Sequence, residues 1–182
     1  MGDGMPAALL TSLATYALRN ARRAGLDLAD QAALADQAVF AQHRGKAHVA
    51  ALMLALDLAT GELAAVDAGS PKLMLLRDGA VHDEQLEAQF PLGMFETSEY
   101  TAQRIDLRPG DRLMIVSDGV VDAANAGGRY GDAALRRFVR RSSAMAPLQA
   151  VRSLLGDLRT FLGDGDLDDD AVGVCLDWTG AQ

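Results

Sequence analysis

Two pairs of apolar segments in this sequence follow each other with almost no chain between them. Segments 47–58 (AHVAALMLALDL) and 61–69 (GELAAVDAG) are joined through the turn ATG, and segments 72–79 (KLMLLRDG) and 80–83 (AVHD) meet at Asp78-Gly79. An Asp-Gly pair between apolar runs is a strong signal for a tight hairpin. Strands joined by so short a turn pair in antiparallel fashion, because parallel strands need a long crossover connection. The middle of the chain is therefore predicted to form antiparallel hairpins.

Segments with helical periodicity precede and follow these hairpins. Residues 6–24 and 27–43 repeat apolar residues at the spacing of an amphipathic helix. In the second of these helices, the residues predicted to face inward are Ala33, Leu34, Val39 and Phe40. The remaining predicted elements are strands at 99–107 and 112–119, helices at 132–142 and from 147 onward, and a last strand at 171–178. This order predicts an α+β layered domain and not a doubly wound parallel sheet.

The length and charge of the chain limit its class. Its 182 residues predict a single domain, and a net charge of −8 leaves no basic surface to displace counterions from a nucleic acid. The one basic cluster, ALRRFVRRSS (134–143), is interpreted as the exposed face of a helix. No secretory signal or membrane-spanning stretch is seen, and the single cysteine, Cys175, is predicted to be buried and cannot form an internal disulfide. These features predict a cytoplasmic protein with neither a nucleic-acid nor a membrane partner.

Acidic residues stand at the ends of two predicted strands. Asp118 follows the apolar run LMIVS, and Asp169 and Asp170 precede the run AVGVCL. If the two strands are neighbours, these carboxylates converge at one end of a sheet, where like charges are unfavourable unless a cation lies between them. Oxygen ligands suit Mg²⁺ or Mn²⁺ better than zinc. The competing interpretation of the run DGDLDDD, with five aspartates in seven residues, is a solvated loop.

Other kinds of site fit this sequence less well. Asp164, Asp166 and Asp168 alternate as in a calcium-binding loop, but the sixth position is Asp169 instead of glycine and the twelfth is Cys175 instead of glutamate. Ser117 could act as a nucleophile, yet no partner base is evident. The three histidines, His43, His48 and His82, are interpreted as ordinary surface or half-buried residues. If the protein does chemistry, a metal-activated water is the attacking group that these residues favour.

Several patterns together resemble one phosphatase family. They are MGDGMPAAL (1–9), LDLATGELAAVDAG (56–69), PLG (91–93), LRPGDRLMIVSDGVVDA (107–123), a GxxxL helix start (131–135) and DDAV (169–172). In this order they resemble the type 2C metal-dependent protein serine/threonine phosphatases. The resemblance is closest to the bacterial branch typified by stage II sporulation protein E and by the stress-response phosphatases that control anti-anti-sigma factors.

The resemblance implies a fold and a set of site residues. The implied fold is a four-layer αββα sandwich of two antiparallel sheets flanked by helices, with two Mn²⁺ or Mg²⁺ ions at one end. Asp118 and Asp169 correspond to the metal-binding, catalytic carboxylates, and Gly119 brings its backbone close to the metals. Asp170 lies beside them in a supporting position. The glycine turn before the first helix, formed by Gly2, Asp3 and Gly4, is placed near the site but supplies no metal ligand.

Two departures from the family pattern bear on activity. The family sequence AGHPP is replaced by AGSPK (68–72), so that Ser70 stands at the histidine position. The family aspartate that bridges the metals precedes the position of Met1, and so do the first strands of the sheets. The chain is therefore interpreted as one phosphatase-like domain, 1–182, that is shortened at its start, with an uncovered sheet edge through which a homodimer could form.

Three functions remain open at this point. The first is metal-dependent hydrolysis of phosphoserine or phosphothreonine on a regulatory protein, with an anti-anti-sigma factor as candidate partner and a sensor domain upstream. The second is a non-catalytic relative that binds a phosphoprotein or a partner domain, which the missing bridging aspartate favours. The third is a metal-binding or structural module of unrelated function.

Overall fold

The protein is described here from a computed structural model, in which residues 5–69 and 72–180 are placed. The chain divides into two compact units. The first contains the described residues up to 69 together with 86–106, and the second contains 72–85 together with 107–180. Each unit has its own antiparallel sheet, its own helices and its own apolar core.

The first unit packs two helices on a three-stranded sheet. Its helices are α1 (Met5–Arg23) and α2 (Leu28–His43), and its strands are β1 (Ala51–Leu56), β2 (Glu62–Ala68) and β5 (Gln103–Asp106). The strands lie in the order β1-β2-β5, and both pairs are antiparallel. The Asp57 side chain accepts hydrogen bonds from the backbone of Ala59 and Thr60, which closes the tight turn between β1 and β2.

The inner face of α2 differs from the prediction. Leu34 is 41% exposed, whereas Asp36 is 1% exposed. The Asp36 carboxylate accepts hydrogen bonds from the Gly93 backbone at 2.7 Å and from the Tyr100 hydroxyl at 3.0 Å. These hydrogen bonds come from residues far along the chain and satisfy the buried carboxylate. The pattern of apolar residues in α2 could not predict them. The prediction for Leu34 was therefore wrong, while Val39 is buried as expected.

The second unit contains a four-stranded sheet and the remaining helices. Its strands are β3 (Lys72–Arg77), β4 (Ala80–Asp83), β6 (Arg112–Val116) and β9 (Gly173–Asp177), all antiparallel in the order β4-β3-β6-β9. A short helix α3 (Asp118–Val121) and a small hairpin of β7 (Ala124–Asn125) and β8 (Gly128–Arg129) follow β6. Two longer helices, α4 (Gly131–Arg141) and α5 (Pro147–Leu162), are separated by a 3-10 turn (Ser142–Ala144).

The structure confirms the α+β class with two antiparallel sheets and helices. Several predicted bounds were too long, because a strand ends where its ladder of hydrogen bonds ends. The strand predicted to reach Gly119 ends at Val116, since the chain turns into α3. The last strand, β9, lies at an edge of its sheet, and Val174 is 48% exposed and Cys175 only half-buried, so neither this strand nor its cysteine is fully buried as expected.

Candidate functional site

The ends of two neighbouring strands carry the predicted site residues. β6 and β9 pair in antiparallel register with Val116 opposite Gly173. The end of β6 and the beginning of β9 therefore lie at the same edge of the sheet. Asp118 comes two residues after Val116, and Asp169 and Asp170 come shortly before Gly173. The sequence predicted that these carboxylates would come together if their two strands were neighbours. The pairing of β6 with β9 meets that condition.

Ser117 fastens the loop before β9 to the end of β6. Its backbone N–H donates to the Val172 carbonyl at 3.0 Å, and its Oγ accepts from the Val172 N–H at 2.8 Å. The same hydroxyl donates to the Asp170 carbonyl at 3.0 Å. Three hydrogen bonds from one residue thus fix the backbone that presents Asp169 and Asp170. This role was missed in the sequence, where Ser117 was considered only as a nucleophile.

Gly119 packs directly against the same loop. A Cβ atom at this position would lie 2.4 Å from the Asp170 carbonyl oxygen and 3.0 Å from that of Asp169. Real Cβ atoms do not approach backbone atoms so closely, so only glycine fits here without a shift of the loop. Helix α3 begins one residue earlier, at Asp118, which is therefore the chain neighbour of Gly119. The backbone of Gly119 is thus close to Asp169 and Asp170.

The opposite end of the same sheet shows a different charge arrangement. There, Arg112 is 4% exposed and forms two hydrogen bonds with Asp177, at 2.6 and 2.7 Å. Arg77 contacts both oxygens of the buried Asp111, at 2.9 and 2.6 Å. Asp111 and Asp177 are therefore each bound by two nitrogens of one arginine guanidinium, which is the geometry of a structural ion pair.

The carboxylates at the predicted site lack such arginine partners. Asp118, Asp169 and Asp170 are all exposed, and within residues 5–69 and 72–180 no ion pair involves them. Asp169 Oδ1 accepts only a local hydrogen bond, from the Asp170 N–H at 2.8 Å. The basic residue at this edge, Lys72, lies opposite Val116 and is paired with Asp132 at 2.6 Å. The negative charge at this edge is thus available to a cation from solution.

The donor set fits a hard divalent cation in its chemistry. Carboxylate and backbone carbonyl oxygens are the ligands that Mg²⁺ and Mn²⁺ prefer, and the loop packed on Gly119 supplies both kinds. Among the described residues, however, no group of three or more acidic, histidine or cysteine side chains is close enough to hold a metal. The carboxylates of the described residues thus do not form a complete metal site by themselves.

Other predicted positions lie elsewhere or outside the described residues. Gly2, Asp3, Gly4 and Ser70 fall outside the residues that the structure describes. Asp164, Asp166 and Asp168 are exposed in the loop after α5, as the solvated-loop interpretation predicts. His43 ends α2 and His82 lies in β4, so neither belongs to the edge that carries Asp118. Over the described ranges, no helix has the length and apolar character needed to cross a membrane.

A family model and several solved structures match this chain. The model described as stage II sporulation protein E (SpoIIE) matches residues 1–179. The SiaA-PP2C domain of Pseudomonas aeruginosa is 22% identical, with a TM-score of 0.81 over 97% of this chain and 72% of that one. The SpoIIE phosphatase domain from Bacillus subtilis, presoaked with manganese, is 15% identical, with a TM-score of 0.59 over 100% of this chain and 75% of that one.

A third structure contains two kinds of domain. The RsbU and RsbW domains of Rv1364c from Mycobacterium tuberculosis are 23% identical to this chain, with a TM-score of 0.71 over 100% of this chain and 51% of that one. At these identities the solved structures establish the fold alone. A comparison with curated proteins found no match. Membership of a family therefore rests on the match to the family model, which spans nearly the whole chain.

Proposed function

This chain belongs to the stage II sporulation protein E family of PP2C-type serine/threonine phosphatase domains, and on that premise we propose that it hydrolyses phosphoserine or phosphothreonine with the help of divalent metal ions. The observation that carries the proposal is the contact of Gly119 with the loop of Asp169 and Asp170, at the sheet edge where Asp118 also lies. This contact supports a site that draws on two separate segments of the chain.

Each residue of the site has a distinct part in the proposed reaction. Asp118 and Asp169 hold the cations, Mn²⁺ or Mg²⁺, through carboxylate oxygens. Gly119 leaves room for the backbone of the loop, and Ser117 keeps that loop in place. Asp170 adds negative charge beside the ligands. Divalent metals in such sites provide a nucleophile at neutral pH and screen the charge of a phosphate.

The experiment that tests this function combines metal binding with turnover. Mn²⁺ binding to the purified chain is measured by calorimetry, and hydrolysis of an aryl phosphate is followed with and without Mn²⁺. We expect Asp118→Asn and Asp169→Asn each to weaken Mn²⁺ binding by about tenfold or more, because each removes a charged ligand. Asp166→Asn makes the same charge change in the solvated loop and serves as the matched control. Equal binding by all four proteins would contradict the proposed site.

A second candidate is a module that binds a phosphoprotein without hydrolysing it. The observation that favours it is the absence of a group of three metal-binding side chains among the described residues. The two candidates differ in one result. A catalytic domain hydrolyses a phosphoserine peptide only when Mn²⁺ is present, whereas a binding module retains the peptide unchanged under all metal conditions.

The proposed substrate is a phosphorylated regulatory protein of the anti-anti-sigma type. In this proposal the phosphatase acts in the regulation of a sigma factor and is controlled by a sensor domain. Support comes from the match to the RsbU and RsbW domains of the Mycobacterium tuberculosis protein, which covers all of this chain. The negative charge of −8 favours partners that present basic surface around the phosphorylated residue. Sedimentation of the chain at several concentrations would show whether two copies associate, as an uncovered sheet edge would allow.

A further inference from the structure

A cavity of the second unit is lined by residues other than those of the proposed metal site at Asp118, Asp169 and Asp170. It has a volume of about 390 Å³ and is formed by α4, α5 and the end of the small hairpin. Helix α4 contributes residues at positions 134, 137 and 141, which a helical spacing of three and four residues puts on one face. Its lining includes none of the residues Ser117, Asp118, Gly119, Asp169 or Asp170.

Three arginines line this cavity. Arg129 comes from β8, and Arg137 and Arg141 come from α4. The only acidic residue of the lining is Asp157, so the lining has a formal charge of +2 on a chain whose net charge is −8. Guanidinium groups repel one another when they converge, and a bound anion would relieve that repulsion. The cavity is thus a local positive region on an acidic protein.

The one carboxylate in the cavity is already engaged. Asp157 Oδ2 accepts from the Tyr130 hydroxyl at 2.6 Å, and Oδ1 accepts from Arg141 Nη2 at 2.7 Å. Burial and the neighbouring Asp157 raise the pKa of Tyr130, which keeps this hydroxyl protonated as a donor near neutral pH. Asp157 therefore neutralises one arginine and orients it, and it does not reach the other two.

Arg137 is the arginine that is best able to bind an anion. It is exposed, and within the described ranges its guanidinium forms no ion pair or hydrogen bond. Arg129 is paired with Asp122 at 2.8 Å, but both side chains are largely exposed, at 72% and 58%, so the pair is weak and Arg129 can turn toward a ligand. The ring of Phe161, edge-on to Tyr130 at a centroid distance of 5.5 Å, forms an apolar wall beside these charges.

We propose that this arginine cavity is a second anion site, which binds a phosphate group through Arg137 and Arg129. Arginine favours phosphate because its planar fork donates two parallel hydrogen bonds to two oxygens. The phosphate can be free inorganic phosphate or the monoester of a phosphorylated side chain, since both present the same oxygens to the fork. The site is independent of the proposed metal chemistry, because its lining includes neither Asp118 nor Asp169 nor Asp170.

Binding of inorganic phosphate to the full chain tests this site. The titration is done by calorimetry at constant ionic strength and in the presence of a metal chelator, so that phosphate cannot bind through metals at the other edge. We expect saturable binding that Arg137→Gln weakens by about tenfold, because one charge-assisted pair of hydrogen bonds is lost. Arg137→Lys keeps the charge but loses the fork, and we expect an intermediate affinity.

Arg140→Gln is the matched control. Arg140 is exposed on the same helix and its substitution changes the net charge equally, but it does not line the cavity. Unchanged affinity in this variant, together with the loss in Arg137→Gln, supports the site. Equal weakening in both variants would mean that phosphate affinity depends only on the net charge of the protein, which would contradict the proposed site. Absence of saturable phosphate binding to the wild-type chain would also overturn the proposal.

Two further titrations separate the sources of the phosphate. A short peptide with one phosphoserine is compared with inorganic phosphate and with the unphosphorylated peptide. Tighter binding of the phosphopeptide identifies a docking site for a phosphorylated protein, whereas equal affinity of peptide and free phosphate identifies a site for the free anion. Equal binding of both peptides would contradict recognition of a phosphate group. Because the chelator removes the metals, none of these results depends on whether the chain is catalytically active.

Discussion

The Ser117 hydroxyl lies 3.0 Å from the carbonyl oxygen of Asp170, 53 positions further along the chain, and donates a hydrogen bond to it. The Ser117 Oγ also accepts a hydrogen bond from the Val172 N–H at 2.8 Å. One small side chain therefore joins the end of β6 to the loop that presents the candidate metal ligands. The link connects the loop before β9 to the residue that precedes Asp118.

Removal of the Ser117 hydroxyl should loosen that loop. We expect Ser117→Ala to lower the free energy of unfolding by about 1 kcal/mol, because the substitution removes a hydroxyl that donates one hydrogen bond and accepts another. The effect is modest because the Ser117 side chain is only half-buried. Urea denaturation measures the change. Ser12, whose hydroxyl bonds only to the Ala8 carbonyl of its own helix, provides the control variant Ser12→Ala. If the two substitutions cost the same, the link between the segments contributes nothing.

Two glycines should respond to alanine in opposite ways. At Gly119 a Cβ would lie 2.4 Å from the Asp170 carbonyl oxygen, so Gly119→Ala should destabilise the protein by about 2 kcal/mol and weaken Mn²⁺ binding. At Gly156, within α5, a Cβ meets no atom within 4 Å, so Gly156→Ala should stabilise by about 0.5–1 kcal/mol. Thermal unfolding of both variants checks the signs. A stable Gly119→Ala variant with normal Mn²⁺ affinity would show that the loop can move away.

The buried carboxylate of Asp36 should make Tyr100 important for stability. In Tyr100→Phe this carboxylate, 1% exposed, loses a donor at 3.0 Å and keeps the Gly93 N–H. We expect a loss of about 2 kcal/mol in the free energy of unfolding, since an incompletely satisfied charge is left in the core. Tyr16→Phe removes the same hydroxyl at a residue that is 64% exposed, and it should change the urea midpoint little. Similar midpoints for the two variants would argue against the network.

The pair of Asp111 and Arg77 should make stability depend on pH in acid. Burial raises the pKa of Asp111, but hydrogen bonds from the Arg77 side chain and the Arg108 N–H together lower it by more, so the net pKa lies below the ordinary 3.8. A depressed pKa in the folded state stabilises the protein above 3.8, and this contribution is lost as the pH falls through the folded value. Because the unfolded chain binds the proton first as the pH falls, the free energy of unfolding becomes smaller with falling pH in this range.

Urea denaturation between pH 6 and about pH 3 measures this dependence. We expect a shallower decrease in Asp111→Asn than in the wild-type chain, because the titrating carboxylate is removed. Asp166→Asn, which removes an exposed carboxylate, should keep the wild-type slope. A wild-type slope in Asp111→Asn as well would assign the acid sensitivity to other groups.

Local patterns in the sequence predicted most of the fold. Tight turns such as Asp78-Gly79 are set by residues next to each other in the chain, and so are the amphipathic helices, so the class and the order of elements could be predicted. The small hairpin of β7 and β8 and the short helix α3 were missed, because elements of two to four residues are too short for a periodic signal.

By itself, the sequence determined that antiparallel hairpins form and that Asp118, Asp169 and Asp170 follow or precede apolar strands. Only the tertiary structure decided that β6 and β9 are neighbours, that Ser117 holds the loop and that three arginines from β8 and α4 line one cavity. The physical reason is the range of the interactions. Turn and helix preferences act between residues a few positions apart, whereas strand pairing and cavity formation join residues far apart in the chain, whose partners become known only once the chain has packed.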